Sequence, residues 1–265
     1  MNGCYFDSHA HYDHALFDGQ GAVLLQQLFD EGLLCGAVIP AISYDTNFHR
    51  EMFPSERFPQ VYYAPGLHPK YALNTPAWTK KERSAFMTLL EQPNTVAVKT
   101  GLDFHHPPYT AGQKRHEADF FRLFIRIANE KNLPLVLHIR DAAEETIEVL
   151  TETPLQVPAV AHCATFDADT TKRLMAAGIT HFGIGGKVTQ DAYTDLQEAV
   201  RWLPMEAILL ETDAPFVKPK GWTESVNTSA ALPQIAHIIA DLKGLSPEEV
   251  AQRTKDNALA FFGLG

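Results

Sequence analysis

Eight short apolar, β-rich runs alternate along this chain with longer stretches of helical periodicity, the pattern of βα units wound around a parallel sheet. The runs are residues 4–6, 36–40, 61–65, 95–99, 135–138, 157–161, 179–184 and 207–210. Eight such units predict an α/β fold of the (β/α)8 TIM-barrel type. At 265 residues the chain matches the roughly 250 that one such barrel needs, so one domain over residues 1–265 is expected. Between the runs, residues 113–131 carry Phe120, Phe121, Phe124, Ile127 and Ala128 at three- and four-residue spacing, a helix face that packs a core. Ser246-Pro247-Glu248-Glu249 supplies a capping serine, a proline at the first helical position and a glutamate three residues after the cap, so a final helix starts there. Residues 215–227, rich in proline and glycine, read as a long loop after the eighth strand, at the barrel end where active sites are built.

Charge and cysteine usage narrow the function. A formal net charge of -10 argues against broad electrostatic attraction to nucleic acid, so a polyanion would have to be gripped at one site. The three cysteines, Cys4, Cys35 and Cys163, are widely spaced and form no CxxC, which indicates neither a disulfide framework nor a structural zinc site. No run approaches the roughly 18 apolar residues of a membrane span, and no basic-then-apolar leader precedes Cys4. The expectation is a cytoplasmic protein, monomeric or weakly oligomeric, with no membrane partner.

Histidines gather at the ends of the predicted strands. His9 and His11 follow the first run, and a period of two puts both imidazoles on one side of an extended chain. Such a pair alone is weak evidence, and any one histidine is readily a hydrogen-bonded core residue. His138 at the fifth run, His162 after the sixth and Asp213 after the eighth join it at the same barrel end, and imidazole with carboxylate suits divalent ions such as zinc or manganese. Asp7 either orients one of these rings or caps the first strand.

These residues, with Gly66-Leu67-His68-Pro69, Gly101-Leu102-Asp103, His138-Ile139-Arg140-Asp141-Ala142, His162-Cys163 and Glu211-Thr212-Asp213-Ala214-Pro215, resemble the TatD family of metal-dependent deoxyribonucleases over nearly the full length. The resemblance implies a β/α barrel with one or two divalent ions per chain (zinc, manganese, magnesium, nickel or cobalt). It implies cleavage of phosphodiesters, with DNA trimmed from the 3′ end.

The chain departs from the family at the fourth strand, where Gly-Glu-Ile-Gly-Leu-Asp is usual and Val98-Lys99-Thr100-Gly101-Leu102-Asp103 stands here. Lys99 takes the place of a glutamate expected to bridge two metals, and an ammonium would repel them. Three readings follow: Lys99 carries a carboxyl group and bridges as a carbamate, as in phosphotriesterase-like amidohydrolases; its amine replaces one ion and leaves a single-metal enzyme; or turnover is lost. Burial lowers a lysine pKa readily, which makes the neutral amine needed for carboxylation accessible. Ala164-Thr165-Phe166 replaces the usual Phe-Ser-Gly, and Asn227-Thr228-Ser229 the usual Asn-Glu-Pro, so the substrate pocket differs as well.

In the mechanism this implies, Asp213 is both ligand and proton acceptor for a metal-activated water. Arg140 offers a planar fork to a phosphate, or else pairs with Asp141 or Glu144 at the surface. His68 donates to a phosphate oxygen or caps its turn. His105, His106 and Tyr109 line the pocket or are plain loop residues. The candidate functions are a phosphodiesterase acting on DNA ends; an amidohydrolase acting on an ester, lactone or phosphotriester; and a metal- or nucleic-acid-binding protein without turnover.

Overall fold

The computed structural model describes residues 4–41, 51–105 and 109–265. Eight strands alternate with helices: β1 Tyr5–Asp7, β2 Leu34–Pro40, β3 Val61–Ala64, β4 Val98–Asp103, β5 Leu135–Arg140, β6 Ala159–His162, β7 His181–Ile184 and β8 Ile208–Leu210. Every strand pair is parallel, in two ladders ordered β1-β2-β3 and β4-β5-β6-β7-β8. This is the (β/α)8 arrangement, with a ladder interrupted at two seams. Between β3 and β4 the strands meet through isolated parallel bridges, Tyr63 with Thr95 and Gly66 with Lys99. Gly66 must lack a side chain there, because a Cβ would lie 1.8 Å from the Lys99 carbonyl oxygen. Between β8 and β1, the Ser8 backbone N–H and hydroxyl both donate to the Leu210 carbonyl, at 3.0 and 2.9 Å.

All eight expected runs are strands, but several edges move. The fourth was expected over residues 95–99 and lies at Val98–Asp103, so Lys99 is its second residue rather than its last. Gly101-Leu102-Asp103 reads locally as a turn, yet Gly101 and Asp103 continue the ladder opposite His138 and Arg140. In the same way β5 runs on past His138 to Arg140. The expected helix over 113–131 begins at Ala111, because Thr110 caps it in a capping box with Gln113. Its five predicted core residues are all buried. The last helix, Pro247–Phe261, starts at the Ser246 cap with Glu249 closing the box.

Alternation along the strands sets the layers of the barrel interior. Phe6, Val38, Ala97, Val136, Val160 and Leu209 form an apolar layer, sealed underneath by Phe261 and Phe262 from the last helix. Two residues further along four of these strands come Lys99, His138, His162 and Glu211. The polar layer therefore rests directly on the apolar one, while Leu135, Leu137 and Ile139 point outward to the helices. Residues 215–227 form the expected loop without strand or helix. Among the described residues no helix is long and apolar enough to cross a membrane.

Candidate metal centre

Five of the predicted residues converge in this polar layer. His9 Nε2 lies 3.8 Å and His11 Nε2 3.5 Å from Asp213 Oδ1. The His9 ring stacks on His162, with centroids 3.8 Å apart and planes 2° from parallel. His138 Nδ1 lies 3.0 Å from His162 Nε2. The candidate ligand atoms of His9, His11 and Asp213 fall within 4.8 Å of one another, and so do those of His9, His162 and Glu211. His9 is shared by these two groups, and His68, Asp103 and His138 form a third.

Buried polar atoms are ordinarily hydrogen-bonded, and leaving one unmade costs about 1–3 kcal/mol. Here both ring nitrogens of His9, Nδ1 of His11 and His162, Oε2 of Glu211 and Nζ of Lys99 are buried without a hydrogen-bond partner. Neutral imidazoles and carboxylates clustered this way fit a divalent ion, which would satisfy several of them at once. The rings of His9 and His162 are held neutral. Burial, reinforced by Lys99 and the neighbouring histidines, puts the pKa of His9 well below the usual range; burial, His9 and Lys99 do the same for His162.

Carboxylates that the sequence offered only as motif residues, Asp103 and Glu211, and one it did not single out, Glu117, support the ligands. His138 Nε2 donates to Asp103 Oδ2 at 3.0 Å, which fixes the tautomer and leaves Nδ1 as an acceptor facing His162 Nε2. Burial pushes Asp103 up, but hydrogen bonds from His138 and the His105 N–H outweigh it and bring its pKa down to about 2. The Asp103 N–H in turn donates to buried Glu117 Oε2 at 3.1 Å, anchoring β4 to the helix outside it. Glu211, fully buried, accepts the Cys163 N–H at 2.5 Å. Burial and nearby Asp213 raise its pKa well above the carboxylate range. Replacing Asp103 with asparagine is expected to weaken metal binding about 10- to 100-fold, measured by competition with a chromophoric chelator. Unchanged affinity would reduce Asp103 to a strand-end hydrogen bond.

Asp7 resolves as a structural tie. Its Oδ1 accepts the N–H groups of His9 and Thr212, and its Oδ2 the hydroxyls of Thr212 and Ser229, and none of these four bonds comes from a histidine ring. Burial outweighs these four bonds and lifts its pKa to about 6. His68 caps its turn, the structural one of the two alternatives weighed for it. Its Nδ1 accepts the Lys70 N–H and caps the one-turn helix Pro69–Ala72, while its ring lies 4.3 Å from that of His138. Burial and His138 press its pKa down to about 2, so the ring is neutral with its proton on Nε2, available as a donor.

Arg140 ends β5, exposed and on the same strand face as His138. The carboxylates weighed as its partners are engaged elsewhere, Asp141 with His105 at 2.7 Å and Glu144 with Arg173 at 2.5 Å. His105 is thus a tethered loop residue, and Tyr109 packs against Phe104 with ring centroids 5.7 Å apart. His106 lies outside the described residues. Lys99 is buried beneath the histidines, in register with Val136. Burial lowers its pKa to about 7 even though Asp213 and Glu211 pull the other way.

A family model described as TatD related DNase matches residues 6–263. The chain is 31% identical over 264 residues to the protein named uncharacterized metal-dependent hydrolase YcfH from Escherichia coli (strain K12), covering 97% of this chain and 95% of that one. It is also 31% identical over 217 residues to the 3′-5′ ssDNA/RNA exonuclease TatD of Escherichia fergusonii, covering 79% and 81%. Among solved structures, that of YjjV, a TatD homolog from Escherichia coli K12, shares the fold with a TM-score of 0.86 at 22% identity, both chains covered completely.

Proposed function

This chain belongs to the TatD-related DNase family of metal-dependent hydrolases, and on that footing we propose that it is a phosphodiesterase that releases nucleotides from the 3′ end of DNA. The observation that carries the reading is the convergence of His9, His11, His162, Asp213 and Glu211 in two ligand groups joined at His9, with buried unpartnered atoms on His9, His11, His162 and Glu211. His68 and Arg140 are the nearby donors for phosphate, and a relative 31% identical bears the exonuclease name.

The proposed ligands are His9, His11, His138, His162 and Asp213, with Lys99 as a further one once carboxylated, holding one or two ions. A bound divalent ion supplies a water of pKa about 7 and polarises the phosphoryl oxygen. Asp213, its side chain 15% exposed, would take a proton from the attacking water as the water oxygen bonds to phosphorus and the bond to the 3′ oxygen breaks. The proton passes to the departing 3′ oxygen. His68 Nε2–H and the Arg140 guanidinium donate to the non-bridging oxygens, where charge builds in the transition state. His9, His138 and His162 are neutral imidazoles at neutral pH and so do not serve as general acids, because burial keeps all three rings below their ordinary pKa.

A 3′-labelled single-stranded oligonucleotide, incubated with magnesium, manganese, zinc, nickel or cobalt, is expected to yield labelled mononucleotides. Lack of release with every ion would overturn the proposal. The buried lysine at β4 favours a second reading, an amidohydrolase cutting an ester, lactone or phosphotriester. Turnover of an aryl ester or lactone without nucleotide release would select it.

A further inference from the structure

Phe216 directly follows the Glu211–Pro215 segment and is 40% exposed, although Ala214 and Pro215 before it are buried. Its ring meets two histidines edge to face, His11 with centroids 6.3 Å apart and His14 with centroids 4.9 Å apart. An apolar ring of this size left in water beside a metal-ligand candidate calls for an explanation, since it forfeits the gain of burial.

The loop does not present Phe216 by accident of flexibility. Asp213 and Val217 on either side of it take left-handed backbone angles, φ 52° and 48°, a conformation that a β-branched residue resists. Hydrogen bonds hold it in place. The Phe216 N–H donates to the Asp213 carbonyl at 2.9 Å, and the Asn227 N–H to that of Pro215 at 3.0 Å. The buried Asn227 side chain donates to the carbonyls of Thr212 and Val217 at 2.9 and 3.2 Å. Thus the ring is fixed at the rim, one ring away from His11.

We infer that Phe216 is a stacking platform for an unpaired nucleobase of the strand whose phosphate lies at His9, His11 and Asp213. The inference rests on the phosphodiesterase reading above and adds how the strand is gripped. A base lies one sugar away from its phosphate, which is the reach from His11 to Phe216. The net charge of -10 gives no general pull on a polyanion, so grip must come from short-range contacts. Stacking on an aromatic ring is such a contact and tolerates any base. A paired terminal base, already stacked in a duplex, would engage it poorly.

Phe216→Ala is expected to raise KM for a ten-residue oligothymidylate roughly 5- to 150-fold with metal content unchanged, and Phe216→Trp to restore it. Abasic residues at the last two 3′ positions should cost the wild-type protein a similar factor and the alanine variant little. Equal abasic penalties in both proteins, or an unchanged KM in the variant, would overturn the platform. The two proposals fail separately. Nucleotide release that ignores Phe216 keeps the phosphodiesterase and removes the platform. Binding of the oligonucleotide that depends on Phe216 without release does the reverse, and absence of binding removes the platform too.

Discussion

His9→Ala is expected to lower hydrolysis by about 10^3-fold or more and to strip the chain of tightly held metal. His9 belongs to two of the three candidate ligand groups among the described residues, and neither of its buried ring nitrogens has another partner. Its removal opens the set that lowers the pKa of water from 15.7 to about 7, a change that shifts a barrier by several kcal/mol at about 1.36 kcal/mol per tenfold. Because the ring donates no hydrogen bond to the scaffold, the variant should keep the circular dichroism spectrum of the wild type. Elemental mass spectrometry and the oligonucleotide assay check the outcome together. A folded variant with full metal content and wild-type rate would remove His9 from the site.

Lys99 governs the second large effect. Prepared with bicarbonate and excess divalent ion, wild type is expected to hold about two ions per chain and Lys99→Ala about one. The reasoning is electrostatic: an ammonium among His9, His162 and Asp213 repels a dication, whereas a carbamate, formed when the neutral amine adds carbon dioxide and releases a proton, attracts it. One ion in both proteins would make Lys99 a non-ligand; none in wild type would sink the metal site.

A pH dependence follows. With its pKa at about 7, the amine carries a proton below neutrality that must leave before a metal or carbon dioxide takes its place. Metal affinity should therefore rise about tenfold per pH unit up to about pH 7 and then level off, and Lys99→Ala should flatten the slope. The folding linkage has the same sign. The folded pKa lies below the unfolded 10.5, so the unfolded chain binds the extra proton between about pH 7 and 10.5 and the Lys99 contribution to metal-free stability rises with pH across that window.

Much of the architecture was legible from the chain. Phe120, Phe121, Phe124, Ile127 and Ala128 face the core because helical periodicity is a local property. Ser246 and Glu249 start the last helix because capping acts within one turn. His9, His11, His138, His162 and Asp213 were readable as a group, since each lies in or just after the last few residues of its strand.

Other features lie beyond local pattern. Gly101-Leu102-Asp103 spells a turn, and only pairing with β5 extends β4 through it, which moves Lys99 from the strand end into the interior. Asp103 finds His138 across 35 residues, Glu117 finds the Asp103 N–H across 14, and Glu211 finds that of Cys163 across 48. Asp7 became a tie to Thr212 and Ser229, more than 200 residues away. Periodicity and capping act between neighbours in the chain, so the sequence by itself determined the succession of βα units, their core faces and the ligand types. Which carboxylate meets which histidine, and where the buried amine of Lys99 comes to rest, depends on the register and stagger of strands far apart in the chain, and only the tertiary packing decided that.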